Sequence, residues 1–489
     1  MTAATRRLMT PAAAADKKTV LAALLALAFV SLLPNLGLHE FRNEESLRVL
    51  VAWEMWLSGD YLRPTFLGDW YYRKPPLFNW LVAASAQLFG WGELAPRAVS
   101  VAALAAVCGG LFWFTRRLFN DGALALLAAL LFAAAGDVLF FYGFIGEIEL
   151  TFTAFVFLSL AMVTAGVVCR RNFLILASGF FAAAAFLLKG LPAFAFWGLT
   201  VVTLAAFHRW RLLLSPWLLG AGAVMVALPA LWILSTAEPL VSAQTLLHAG
   251  ARRVGESADM EKLLRHMLAF PLKTLFNLLP GSLFALLALA TVVMRRRKMA
   301  IAEEEILMQK RRMVKVPREM TVIALIALVN FLPYLVAAGS RGRYVIPLFP
   351  FAALLCAFAI QRCAGRRLRN AAVAAVGVFL IARLALGLAV IPLLAKYKPE
   401  SERRIAQEAV AVMAGRDGGA TVACDCAEFK GICLYIGLAT GRHIKTSART
   451  PGWSYNLACN GSEGEGGGAV ITRFAHKKEV LLLSSAAPN

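Results

Sequence analysis

The chain has 489 residues, of which 60% are hydrophobic and only 16% charged, a balance that excludes an ordinary soluble globular protein. A net charge of +21 spread over a folded surface would suit a nucleic-acid binder, but here the Lys and Arg residues fall in short runs between apolar stretches. That placement reads as the topological signal of a multi-spanning membrane protein and argues against nucleic acid as a partner.

A bilayer core of roughly 30 Å needs about 20 apolar residues per helix. Segments of that kind predict eleven spans, near 19–38, 96–115, 122–138, 148–168, 172–188, 191–207, 213–233, 271–294, 319–338, 344–361 and 371–393. Arg6/Arg7 and Lys17/Lys18 precede the first span, which reads as an uncleaved anchor. Later basic runs include Arg116/Arg117, Arg170/Arg171, Arg295–Lys298 and Arg366/Arg367. A cytoplasmic N-terminus puts all of these runs inside and the tail from about Leu394 outside. The expected fold is therefore an all-α polytopic membrane domain over 1–393 followed by a small external α/β cap over 394–489.

The first external loop, 38–95, is too long to be a plain connector. Helical spacing over Glu44–Leu57 and Pro76–Phe89 predicts two interfacial helices, with Trp53, Trp56, Trp70, Tyr71, Tyr72 and Trp80 as headgroup-depth anchors. A later external loop, 235–270, carries His248, Arg252, Arg253 and Glu256 with weak helical periodicity. The cytoplasmic stretch 295–318 is a charge run with the character of a solvated helix. In the tail, Ser401–Ala414 reads as an amphipathic helix, and Thr421–Cys424, Ile432–Tyr435 and Ala469–Thr472 as short strands. Cys424, Cys426, Cys433 and Cys459 lie in this tail, where an oxidising compartment permits disulfides in any of three pairings. Their spacing makes a poor zinc pattern.

Charged residues gather at the external ends of the predicted spans. His39, Glu40, Arg42, Glu44 and Glu45 crowd the exit of the first span, where charges are costly unless they face water or serve a site. Glu44 and Glu45 fit the simpler role of acids in the first turn of a helix; Glu40 fits it less well. Lys74 precedes Pro75 and Pro76, which fix the backbone so that an ammonium can hold an anion, although a Lys at an interface also snorkels to lipid. Glu147 and Glu149 interrupt the apolar stretch Phe144–Phe157, and Lys189, Arg341 and Arg343 place cations where the positive-inside rule would not. Acids and cations on one membrane face suit a lipid-linked phosphate substrate.

The residues Glu40-x-Arg42-Asn43, Ser58-Gly59-Asp60-Tyr61-Leu62-x-Pro64, Gly68, Tyr72-x-Lys74-Pro75-Pro76-Leu77 and Trp80 together resemble the bacterial protein mannosyltransferase-like and lipid A aminoarabinose transferase-like enzymes. These are GT-C type glycosyltransferases that take a sugar from a polyprenyl-phosphate carrier at the periplasmic face. The resemblance covers 37–100 well and runs on more weakly through Glu147–Phe152, Lys189-Gly190-x-Pro192 and Arg343-Tyr344-x-x-Pro347.

It implies a multi-pass bacterial inner-membrane enzyme that transfers sugar with inversion to a lipid, glycan or protein acceptor. By this matching Glu40 is the loop acid, His39 standing where the family often has a second acid, and Glu147 or Glu149 is the other catalytic carboxylate. Lys74 matches the phosphate-binding Lys and Tyr344 a family Tyr. Arg252 or Arg253 answers loosely to a late-loop Arg, and Arg42, Lys189 and Arg343 complete the substrate-binding set. No cofactor is required, and a divalent metal is compatible. No nucleotide-sugar motif or Gly-rich phosphate loop is present, which disfavours a soluble nucleotide donor. The alternative is a transporter or flippase of lipid-linked saccharides, whose site should lie nearer the bilayer midplane.

Overall fold

In a computed structural model the described residues are 11–42, 44–255, 260–301, 316–396, 401–414, 421–459, 469–476 and 479–486, excluding the side chains of 11–16, 249–255, 295–301, 476 and 479. Among them, seven helices are long and apolar enough to cross a membrane: Leu94–Phe119, Ile148–Val168, Asn172–Lys189, Pro216–Ser235, Arg318–Val336, Ile346–Cys363 and Arg366–Lys396. Ten of the eleven predicted spans each coincide largely with one helix, but not every helix is a simple crossing. Gly122–Ala133 and Pro192–Phe207 are shorter, and the first helix, Pro11–Leu32, carries Asp16, Lys17 and Lys18 near its start.

The stretch read as one span over 271–294 is instead two helices, Met260–Asn277 and Gly281–Met294, bent by 105° at the break. Pro280 explains the interruption: it supplies no amide hydrogen to the turn before it, and its ring obstructs the preceding carbonyl. The later external loop is also more ordered than its weak periodicity suggests, since Pro239–Gly255 forms a helix before Met260–Asn277. The charge run 302–315 lies outside the described residues.

Where spans meet, glycine sets the distance. A Cβ on Gly179 would stand 2.1 Å from the carbonyl oxygen of Ala221, so the helices Asn172–Lys189 and Pro216–Ser235 touch backbone to backbone there. The first of these helices ends at Gly190, whose φ of +81° is open to glycine at little cost. Lys189 is therefore the last helical residue, at the external end of the bundle.

The two helices of the first loop are Glu45–Ser58 and Leu77–Phe89, joined by a small antiparallel ribbon that pairs Thr65 with Trp70 and Phe66 with Asp69. The loop helix Glu45–Ser58 does not lie on the lipid surface as its sequence suggests. Eleven of its residues, Glu45 through Met55, are buried. Trp53 and Tyr71 are each 5% exposed and pack inside, whereas Trp56 and Trp70 remain open. The reason is that the helix is covered twice, by the bundle and by the cap.

The cap follows the amphipathic helix Glu402–Ala414. Its sheet has the order Val422–Asp425, Tyr455–Ala458, Glu479–Ser485, Ala469–His476, with the first pair parallel and the rest antiparallel. The apolar run Ile432–Tyr435, expected as a strand, lies within the helix Lys430–Thr440. Short apolar runs carry no period of their own, and here Ile432, Cys433, Leu434 and Ile436 are all buried against the sheet and the amphipathic helix. Of the three pairings open to the cysteines, the structure has Cys424–Cys433 and Cys426–Cys459.

Candidate active site

One end of the bundle and the first loop enclose a cavity of about 1330 Å³. Acids and cations alternate around it. Glu44, Glu147 and Glu149 line it together with Arg48, Lys74, Lys189, Arg341 and Arg343, and Tyr71, Tyr142 and Tyr344 supply aromatic walls.

The end of the span Ile148–Val168 carries the best-defined part. Glu149 sits in its first turn, 6% exposed, and its Oε1 accepts from Lys189 Nζ at 3.1 Å, with Arg343 Nε 3.8 Å away. Lys189 is also 5.2 Å from the centre of the Phe152 ring and 5.5 Å from that of Tyr344. The cation thus stands between a carboxylate and two π faces, in a place of little solvent. Arg343 and Tyr344 arrive on the short helical turn Gly342–Tyr344, with the guanidinium over the Tyr344 ring at 5.7 Å. Sequence reading placed Glu147, Glu149, Lys189, Arg343, Tyr344 and Lys74 in one site, and the cavity brings all six together.

Glu147 differs from Glu149 although only Ile148 separates them. It precedes the helix with extended backbone and has no cation partner within ion-pair distance among the described residues. Burial and then the neighbouring charge of Glu149 push its carboxyl up to about 7, with Arg343 opposing.

Glu40 and Arg42 do not line this cavity. The Glu40 carboxylate accepts from the Ser401 hydroxyl at the foot of the cap and borders a separate hollow of about 380 Å³. Arg42 is exposed, beside His39 at 3.4 Å. The loop acid that reaches the cavity is Glu44, four residues further on. The register differs from the expected one because the helix starts at Glu45, which turns Glu44 toward Arg48 and the cavity and leaves Glu40 in the preceding extended stretch. Arg252 and Arg253 fall on the helix Pro239–Gly255, but their side chains lie outside the described residues.

One residue not singled out from the sequence, Arg97, holds the site in place. Arg97, 3% exposed at the start of the span Leu94–Phe119, grips Glu45 with both arms, Nε to Oε1 at 3.0 Å and NH2 to Oε2 at 2.9 Å. It also donates to the carbonyls of Leu36 at 2.7 Å, His39 at 2.9 Å and Glu40 at 3.0 Å. Glu45 in turn accepts from the Gly146 amide at 2.6 Å, one residue before Glu147. A Cβ on Gly146 would come within 2.5 Å of Pro96 and 3.0 Å of Glu45 Oε1, so this close approach needs glycine. A forked ion pair of this kind fixes geometry as well as charge. The signal for Arg97 was present: a lone cation in an apolar helix on the external side, where topology alone would not put it. Among the described residues, no group of three or more His, Cys, Asp or Glu side chains stands close enough to hold a metal ion.

The bundle thus carries a charged cavity at one end, with a small α/β cap packed over the first loop. The family model described as dolichyl-phosphate-mannose-protein mannosyltransferase matches residues 73–233. A similar curated protein is the undecaprenyl phosphate-alpha-4-amino-4-deoxy-L-arabinose arabinosyl transferase of Pseudomonas paraeruginosa, 33% identical over 195 residues, which is 38% of this chain and 34% of that one. The Shewanella sediminis protein of the same name is 31% identical over 238 residues, covering 46% of this chain and 42% of its own. The match thus spans between about a third and two fifths of the length of these curated relatives.

In fold the likeness runs the whole length. The crystal structure of ArnT from Cupriavidus metallidurans in the apo state superposes with a TM-score of 0.66 at 17% identity, over 98% of this chain and 100% of that one. The same protein bound to undecaprenyl phosphate gives 0.66 at 15% identity, over 96% and 99%. The resemblance read in the first loop is therefore borne out in fold over 98% of the chain and in family sequence over residues 73–233.

Proposed function

We propose that the chain is a membrane glycosyltransferase. It moves a sugar from a polyprenyl-phosphate carrier to a cell-envelope acceptor, with inversion, at the periplasmic face of the bacterial inner membrane. On this reading the N-terminus is cytoplasmic and the cap periplasmic. The observation that carries it is the cavity itself, where cations able to hold a phosphate share the lining with Glu147, a carboxylate with no ion-pair partner among the described residues.

Glu147 takes the proton of the acceptor hydroxyl as its oxygen attacks the anomeric carbon. The bond from that carbon to the phosphate oxygen breaks, and polyprenyl phosphate leaves with the electron pair. Lys74, Lys189 and Arg343 meet the charge that grows on the phosphate, so the leaving group needs no proton. Tyr344 walls the same end of the cavity. Glu149 keeps Lys189 and Arg343 aimed, while Glu44, between Arg48 and the cap, orients the acceptor. The step as written draws on side chains alone. Arg252 and Arg253 belong to the helix bordering the cavity and complete the donor-binding set, whereas Glu40 and Arg42 support the loop from outside.

The sugar and acceptor named for the curated relatives give the first assay, an undecaprenyl-phosphate-linked 4-amino-4-deoxy-arabinose donor with lipid acceptors in reconstituted membranes. Lys74→Ala and Glu147→Gln are each expected to lower transfer by about 100-fold or more while the protein still inserts and melts normally. Normal transfer by both variants overturns the reading. A transporter instead of a transferase would show donor crossing the bilayer with its glycosyl bond intact.

A further inference from the structure

One acid of the cavity has a partner in the cap. Glu44 is half-buried, and each of its carboxylate oxygens has its own cation: Arg48 NH2 stands 3.4 Å from Oε2, and Lys430 Nζ stands 3.3 Å from Oε1. Arg48 belongs to the loop helix. Lys430 is the first residue of the cap helix Lys430–Thr440 and comes from 386 residues further along the chain.

That cap helix is held firmly over the loop. The Phe41 amide donates to Tyr435 Oη at 3.2 Å, and Trp53 Nε1 donates to the Arg442 carbonyl at 3.3 Å, just past the end of the helix. Tyr435 Oη and Arg403 both donate to Glu93, which lies at the base of the span Leu94–Phe119. Cys433, one turn beyond Lys430, is bonded to Cys424 in the sheet. A Lys tethered at this many points presents its ammonium from a fixed direction, whereas a surface Lys would sweep a wide volume.

We infer that Lys430 is a positioning residue of the active site, supplied by the cap, which fixes the orientation of the Glu44 carboxylate in the cavity. Lys430 does not itself line the cavity, so it acts through Glu44 and not on substrate. The cap is then a working part of the transferase. The inference rests on the glycosyl-transfer reading, and the experiment separates the two.

Full-length protein in vesicles is assayed with the undecaprenyl-phosphate-linked donor. Lys430→Met is expected to lower kcat about tenfold while KM for the donor changes by less than about twofold, because the donor phosphate is held elsewhere. Lys430→Arg, which restores a cation, is expected to recover most of that loss. Arg449→Ala removes a different cap contact, the exposed 2.7 Å pair with Asp69, and is expected to leave kcat unchanged. Transfer by the wild type together with a wild-type kcat in Lys430→Met overturns the positioning role alone. An equal loss in Lys430→Met and Arg449→Ala overturns it too, as does failure of Lys430→Arg to recover activity. A wild type inert toward polyprenyl-phosphate sugars overturns the functional reading and this inference with it.

Discussion

Glu147 and Glu149 show how much two positions can change a side chain. Glu149 is spent on Lys189 and Arg343, whereas Glu147 sits buried beside a like charge, which pushes its carboxyl up to about 7. A base must be ionised to accept a proton, so transfer is expected to fall as pH drops through about 7. Steady-state rates from pH 5.5 to 8.5 check this, and an acid limb that stays put in Glu147→Asp would assign the ionisation to another group. Glu44 runs the other way: burial alone would raise its carboxyl, but Arg48 and Lys430 outweigh it and hold it low. The sequence displayed Glu147, Glu149, Lys189 and Arg343 as charges out of place at the ends of predicted spans, and Glu44 as an acid in the first turn of a helix. It could not divide their roles, because desolvation and ion pairing depend on neighbours that are far away in the chain. The placement of Glu40 outside the cavity and of Glu44 in its lining was hidden for the same reason, since four residues in a loop exit differ little in composition but greatly in direction.

At the scale of elements, the loop helix Glu45–Ser58 is the keystone between bundle and cap. From the bundle comes Arg97 to Glu45, and from the second loop helix Asn79 Nδ2 donates to the Arg48 carbonyl at 2.8 Å. From its own loop and the cap, the fully buried Glu54 accepts from Thr65 Oγ1 at 2.5 Å and the Leu67 amide at 2.7 Å, with His443 Nε2 3.1 Å away. Helical periodicity revealed that this helix exists, while its burial was hidden by an aromatic content that suits an interface equally well. Removing Arg97 strands a buried carboxylate, so Arg97→Ala is expected to cost about 3–5 kcal/mol and to reduce transfer by displacing the Gly146–Glu147 turn. Thermal unfolding of the purified protein measures the first effect. A melting temperature equal to that of the wild type would remove Arg97 from this role. Arg97→Lys should rescue only in part, because an ammonium cannot reproduce the planar fork.

For the whole molecule, the order of helices was legible because bilayer thickness imposes a length on every span. The cap was less so, since its short strands carry weak patterns and its cysteines allowed several pairings. The Cys426–Cys459 bond closes a separation of 33 residues and joins the start of the cap to its central strand. Loss of a bond of this kind typically costs about 2–5 kcal/mol. Cys426→Ser with Cys459→Ser is therefore expected to lower the melting temperature and to loosen the cap, read as faster proteolysis of the tail in intact spheroplasts; unchanged cleavage would count against it.

The contact between Glu44 and Lys430 also has a consequence in time. On the orientation proposed above, the loop carrying Glu44 reaches the far side of the membrane when most of the chain has yet to be made, and Lys430 follows only after all the spans have inserted. On that reading the nascent chain remains incomplete while it is being threaded into the bilayer, and its cavity gains the Lys430 contact only when the cap has been laid over the loop.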